Sequence, residues 1–527
     1  MLSMRLERLF CLWSLLFLLS GCGIFNKPEP TIPPLIPETV IAVPVKPDDL
    51  KYVECPFKEN NEIPPEARAD IRCANLTVPE DWQQPNGPKI KLAVAIVKTA
   101  NTEPKPDPIL VMIGNPGYGS YIAYVLPYIF ENIFAQRDLI IVDQRGTGFS
   151  DPSIECTEIS NLSIASNANL SLQEANDRLV EASPTCFNKV KASGINLSDY
   201  TTTAEAADLD YLRQVLGISQ WNIYSVLNGS RLALTMMREY PQVIRSVVLD
   251  SPVPLQANPA AEWGTNVEKT FERFFNRCAG DVQCAKHYPD LKETFYALLD
   301  QLDAEPILFD VANQNSGERY KVSLDSERMI TLFLLLLNTV NDRESLPEVP
   351  RMVYQLRDGK TEVVKQLMGR LPQDVLPSSA MDFWMDCNEE LHFTTLERVK
   401  VSNADINPHL QNYFDTQAEG DFRACEDWKA PGVPDSENQP VASGIPTLLL
   451  AGEYDWNEPP EWAELTAQTL RNSTVVEFPA IGQIVYASSQ WSVCSHQIVE
   501  AFLETPPVKP DISCASIPYK ITWITLP

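Results

Sequence analysis

Residues 221–234 read Trp221-Asn-Ile-Tyr-Ser-Val-Leu227-Asn-Gly-Ser-Arg-Leu-Ala-Leu234. Trp221 to Val226 is a short run with strand-favouring character, bounded by turn residues, as expected of a strand buried on both faces. Leu227 and Asn228 separate it from Gly229, after which a helix is expected to about Tyr240. A buried strand that turns sharply into a helix is the unit of a parallel sheet, because a parallel neighbour is reached only through a crossover.

The same pattern recurs on both sides. Ile109 to Ile113 runs into Gly114-Asn-Pro-Gly-Tyr-Gly-Ser120, and Leu139 to Val142 into Asp143-Gln-Arg-Gly-Thr-Gly-Phe-Ser150. Lys89 to Val97 alternates and suits an early edge strand. Thr202-x-x-Glu205 has capping-box spacing for a helix that Gly217 stops. Ile244 to Asp250, Pro446 to Ala451 and Thr474 to Phe478 read as further core strands, and Val493 to Leu503 as a closing helix. Nearly two hundred residues separate the first two of these strands. Amphipathic stretches such as Val267–Phe275, Leu291–Leu302 and Met329–Leu337 fill the gap, with little β signal. The expected fold is α/β: a doubly wound, mostly parallel sheet with a large, mainly helical cap insertion. The core is expected over 51–254 and 441–527 and the cap over 255–440. Ligands of such sheets bind at the carboxyl ends of the strands.

The amino terminus reads as an export signal over 1–21, with a basic start, the apolar run Leu9 to Leu19, and Leu19-Ser-Gly-Cys22. A small-residue pair directly before a cysteine resembles a bacterial lipobox, which makes Cys22 the expected lipid anchor and the membrane a partner through that lipid. An ordinary cleaved signal would share the export step. For a Gram-negative source the resemblance implies the outer membrane, facing the periplasm. Residues 27–48 hold seven prolines, so a stiff tether is expected over 22–50.

Ten cysteines remain beyond Cys11 and Cys22, at 55, 73, 156, 186, 278, 284, 387, 425, 494 and 514. With only four histidines and no C-x-x-C pair, disulfides in an oxidising compartment explain them better than zinc does. Sequence leaves the connectivity open; pairing neighbours in order gives Cys55–Cys73, Cys156–Cys186, Cys278–Cys284, Cys387–Cys425 and Cys494–Cys514. The net charge of −28 argues against nucleic acid and against electrostatic docking on anionic lipid.

From about Cys55 to Cys514 the chain resembles the tripeptidyl aminopeptidase-like α/β hydrolases, relatives of proline iminopeptidase. The resemblance rests on Gly114-Asn-Pro-Gly117, the 143–150 run, the segment Tyr224 to Leu234, Leu249-Asp-Ser-Pro-Val253 and Gly452-Glu-Tyr-Asp455, in that order. It implies a serine peptidase fold working without metal or cofactor. It also implies that the turn after the strand at 221–226 should read G-x-S-x-G, with the serine lifted above the sheet. Here Ser225 and Gly229 keep the small flanking positions, but the tip carries Leu227, which has no nucleophilic atom. The family's acid corresponds to Asp455; its histidine corresponds to Gln483, which cannot shuttle a proton near neutral pH. Gly114, Asn115, Gly117, Tyr118 and Asn228 fall where the family builds its oxyanion hole or pocket wall. Glu389 matches a cap carboxylate placed near a peptide amino terminus, although a solvated acid beside a disulfide reads equally well. The expectation is a membrane-anchored lipoprotein that has abandoned catalysis and binds a peptide or protein between core and cap. The competing reading is an active exopeptidase or esterase with a displaced nucleophile; Ser225, deeper in the strand, and Ser230, in the following helix, are not expected to project where a substrate carbonyl would sit, and His496 reads as a structural histidine ahead of a displaced base.

Overall fold

In the computed structural model, residues 44–56, 70–114, 135–160, 168–313, 317, 319–338, 345–370 and 380–525 are described. Cys22, Asn115, Gly117, Tyr118 and most of the expected signal and tether lie outside them. The apolar runs form the strands β1 (Leu50–Val53), β2 (Asp70–Pro79), β3 (Lys89–Lys98), β4 (Ile109–Met112), β5 (Leu139–Val142), β6 (Trp221–Val226), β7 (Ile244–Asp250), β8 (Ile307–Ala312), β9 (Arg319–Leu324), β10 (Thr447–Gly452) and β11 (Ser473–Phe478). Nine of them make one sheet in the order β1-β2-β3-β5-β4-β6-β7-β10-β11. The six from β5 to β11 are parallel, and β1, β2 and β3 add on antiparallel.

Three expectations need correction. Lys89–Lys98 is not an edge strand: β2 covers it along ten paired residues and β5 on its other side. Its alternation breaks at Ala93, after which every residue to Val97 is buried. The final residues of the expected tether belong to the fold, since Pro47–Asp49 form a 3-10 turn, Leu50 starts β1, and the Tyr211 hydroxyl donates to Asp49. The insertion also carries a β-hairpin, β8 against β9, whose alternating exposure is that of a strand with one face in the cap core.

The helices used below are α1 (Leu172–Ala192), α2 (Thr202–Val215), α3 (Gly229–Glu239), α4 (Pro259–Gly280), α5 (Leu291–Ala304), α6 (Ser326–Asn338), α7 (Pro408–Cys425) and α8 (Ser492–Glu504). The cap has its own aromatic core, with Phe271, Phe274, Phe275, Phe295 and Phe333 buried from α4, α5 and α6. At roughly 2–3 kcal/mol per buried phenylalanine, that cluster is large enough to hold the cap's shape. Five disulfides join Cys55–Cys73, Cys156–Cys186, Cys278–Cys284, Cys387–Cys425 and Cys494–Cys514, the in-order pairing expected. The 143–150 run is architectural. The Arg145 guanidinium, fully buried, donates from Nε and Nη2 to Asp208 at 2.8 and 2.7 Å and from Nη1 to the Glu80 carbonyl at 2.7 Å. This ties α2 beneath the sheet and fixes where its amino terminus points.

Candidate functional site

The parallel strands all end on one edge of the sheet, and Leu227, Asp455 and Gln483 each follow the carboxyl end of one of them, β6, β10 and β11 in turn. Leu227 sits at the tip of the turn between β6 and α3 with φ of 52°, a left-handed conformation that strains a leucine. Its N–H donates to the Asp250 carbonyl at 3.1 Å, and its carbonyl accepts from the Ser230 N–H at 2.9 Å and the Ser230 hydroxyl at 2.6 Å. Two glycines let this turn close. A Cβ on Gly229 would lie 2.7 Å from the Met112 carbonyl oxygen, and one on Gly114 would lie 2.6 Å from Cβ of Leu227. The backbone geometry of a nucleophile turn is therefore present, with a half-buried apolar side chain at its tip.

Ser225 is buried within β6, its hydroxyl 3.4 Å from the Val248 carbonyl. Ser230 is engaged by the turn itself and accepts from the Val253 N–H at 2.8 Å. His496, on α8, stacks on Tyr486 at 4.1 Å and places Nε2 3.1 Å from the Tyr486 carbonyl.

Asp455 follows β10 and is fully buried. Its Oδ1 accepts from the Asn457 and Glu458 N–H groups at 3.2 and 3.0 Å, while Oδ2 has no hydrogen-bond partner. Burial holds its carboxyl well above the usual range, and the Glu458 N–H, the Ser251 hydroxyl and the Asn457 N–H only partly oppose this. Glu458, equally buried with an unpartnered Oε2, is raised by burial and by Asp455 beside it. Gln483 is half-buried in the loop after β11. That loop is stitched to its neighbours: the Tyr454 N–H donates to the Ile481 carbonyl, the Ile484 N–H to the Ser251 hydroxyl, and the Val485 and Tyr486 N–H groups to Asp250. Asp250 also accepts from the Tyr224 hydroxyl at 2.7 Å, and burial pushes it up to about 6.

Between this edge and the cap lies a cavity of about 480 Å³, within the range of small-ligand sites. Gly114, Asn228 and Asn457 line it from the core, and Trp263, Asp386 and Asp421 from the cap. Glu389 reaches it from a π-helical turn at Asp386–Glu390. It is 4% exposed and accepts from the Thr202 N–H at 2.9 Å and the Thr202 hydroxyl at 2.6 Å. Burial, then the Glu437 carboxylate, pushes it up to about 8 against those two bonds and Arg231.

The capping box expected at Thr202 and Glu205 does not form. Thr201 caps α2 by accepting from the Ala204 N–H, one residue earlier than expected. That frees Thr202 to hold Glu389, and Glu205 turns into the cavity, 3% exposed with no partner for Oε1.

Sequence reasoning missed Glu205, Arg231, Asp382, Asp386 and Asp421 as cavity residues. Arg231 lies one helical step beyond the turn, and Asp386-Cys-Asn-Glu-Glu390 is a visible acidic run, so both carried a local signal. Asp421, on α7, carried none. Arg231 Nε pairs with Glu390 at 2.7 Å. Asp386 is an exposed residue that lines the cavity. The protein packed around it and then Glu390, Asp382 and Asp421 raise its carboxyl, opposed in part by Arg231. Burial pushes Asp421 up to about 7. No group of three or more histidine, cysteine or acidic side chains among the described residues is arranged to hold a metal ion, and no helix among them is long and apolar enough to cross a membrane.

Residues 107–488 match the family model of the alpha/beta hydrolase fold. The chain is 28% identical over 226 residues to the serine protease Hip1 of Mycobacterium tuberculosis, covering 41% of this chain and 42% of that one. It is 30% identical over 195 residues to the tripeptidyl aminopeptidase of Streptomyces lividans, covering 35% of each. The matched stretches thus span less than half the length of these relatives. Among solved structures, proline iminopeptidase from Mycobacterium smegmatis aligns over 82% of this chain and 98% of that one, with 14% identity and a TM-score of 0.35.

Proposed function

Because the chain belongs to the alpha/beta hydrolase fold family, we propose that it is a member that binds the amino terminus of a peptide between core and cap without cleaving it, held at the cell envelope by a lipid on Cys22. The observation that carries this is the turn at Leu227. Its strained backbone and the glycine contacts that permit it are intact, while the tip has no nucleophile. A serine there would need a general base, and position 483 offers a glutamine amide. The retained cavity and the Thr202-anchored Glu389 support a binding role, since an ammonium group is the natural counter-charge for a buried carboxylate. Export is supported by the five disulfides, and anchoring by Leu19-Ser-Gly-Cys22.

The test compares wild type, Leu227→Ser and Leu227→Ser/Gln483→His on aminoacyl-, prolyl- and tripeptidyl-coumarin amides and short p-nitrophenyl esters. The wild type is expected to be silent, because losing the nucleophile forfeits several orders of magnitude in rate. Activity in the double variant would mark a preserved pocket. Dose-dependent hydrolysis by clean wild type, with covalent labelling by a fluorophosphonate, would overturn the reading. Anchoring is checked by radiolabelled palmitate incorporation, which Cys22→Ser should abolish.

A further inference from the structure

The cavity gathers more acidic groups than one amino terminus can pair with. Six carboxylates line it, from Glu205, Asp382, Asp386, Glu389, Glu390 and Asp421. Arg231 is the sole cation among its described lining residues, and Glu390 already pairs with it at 2.7 Å. The acids divide into two groups. On the core side, Glu205 feels Glu389 most strongly among its charged neighbours, and its Oε1, buried at the cavity wall, bonds to nothing. On the cap side, Asp386 feels Glu390, Asp382 and Asp421. Trp263, Phe383 and Met385 line the same cavity and offer apolar surface to an alkyl chain.

Building on the reading of this cavity as an amine site, we propose that it takes a ligand with two cationic groups on an alkyl stem: one ammonium at Glu205 and Glu389, the second at Asp386 and Asp421. A peptide whose first residue carries a side-chain ammonium has this chemistry, and so does a free alkyl diamine. A buried acid with no donor is costly to leave unsatisfied. Each ammonium brings three donors to carboxylates that otherwise repel one another. Thr202 keeps Glu389 in place through two bonds that leave lone pairs on both carboxylate oxygens, so the first subsite is formed before the ligand arrives.

The experiment is isothermal titration of the full-length protein with lysyl-glycyl-glycine amide and with norleucyl-glycyl-glycine amide, which differ chiefly in the side-chain ammonium. The lysyl peptide is expected to bind at least about tenfold more tightly, a loss of roughly 1.4 kcal/mol on removing the second charge. Asp386→Asn/Asp421→Asn should close that gap by weakening the lysyl peptide towards the norleucyl one. The wild-type comparison stands even where the variant fails to fold. 1,5-Diaminopentane, run against 1-aminopentane, separates the two sources: binding as tight as the lysyl peptide assigns the site to free diamines, and much weaker binding assigns it to peptides. Equal affinity for the lysyl and norleucyl peptides, both lost in Glu389→Gln, overturns the second subsite and leaves the amine-terminus reading standing. No binding of any of the four probes overturns both.

Discussion

Asp455→Asn separates a retired acid from a working one. In a functioning triad the acid stays ionised because a histidine shares its charge; here Asp455 is fully buried, its Oδ2 has no partner, and Glu458 stands beside it. Burial raises its carboxyl from 3.8 to about 7. A carboxyl that holds its proton to higher pH in the folded state than in the unfolded one favours folding in full below about pH 4, and that contribution is lost as pH rises towards and past 7. Three units at 1.36 kcal/mol each cap the effect at about 4 kcal/mol, and sharing the proton with Glu458 lowers the expectation to about 1–3 kcal/mol. Asparagine keeps the Oδ1 that accepts from Asn457 and Glu458, and puts a donor where Oδ2 now lies unsatisfied. Asp455→Asn should therefore raise stability by about 1–3 kcal/mol at pH 8 and change it little at pH 4.5. Urea unfolding of wild type and variant, disulfides intact, at pH 4.5, 6, 7 and 8 measures this. A variant less stable than wild type at pH 8 would mean that Asp455 is held ionised by a cationic partner, and the reasoning from Gln483 would be wrong.

Gly229→Ala should cost about 2 kcal/mol or more in urea unfolding, because the added methyl would lie 2.7 Å from the Met112 carbonyl in a place where neither β4 nor α3 can retreat; a loss under about 0.5 kcal/mol would show that the turn has slack. Cys387→Ser/Cys425→Ser, which unties the segment bearing Glu389 from α7, should lower stability by about 2–4 kcal/mol and weaken norleucyl-peptide binding in titration calorimetry. Unchanged affinity in that variant would mean that Thr202 alone positions Glu389.

Much of the fold was legible because the core strands announce themselves locally. Trp221–Val226 followed by Gly229, and Ile244–Asp250 followed by Ser251-Pro252, each carry a buried run and its stop within a dozen residues. β1 gave no such signal: it is four residues long, with three of them exposed, and it exists because β2 pairs with it. The β8–β9 hairpin was hidden by its helical surroundings, although Ile307–Ala312 alternates. Leu227, Asp455 and Gln483 could be read as positions because each is tied to a strand end. The acidity of the cavity could not, since Glu205, Asp386 and Asp421 come from three segments far apart in sequence and meet only after the cap closes. The one-residue error in the cap of α2 had a similar origin: nothing local says that Thr202 will be taken by Glu389.

The five cystine rings are consecutive, none enclosing or crossing another. A chain emerging amino terminus first can thus close each ring as its second sulfur appears, with no earlier sulfur left waiting for a distant mate. The sheet has the opposite logic, since β7 pairs with β6 early but gains its second parallel neighbour only when Thr447–Gly452 arrives, after the whole insertion has been made. As the chain emerges, the cap can take shape beside a half-built sheet with an apolar flank uncovered. Of the rings, Cys278–Cys284 and Cys387–Cys425 lie in that interval, where they can pin successive pieces of the cap while the core is still open.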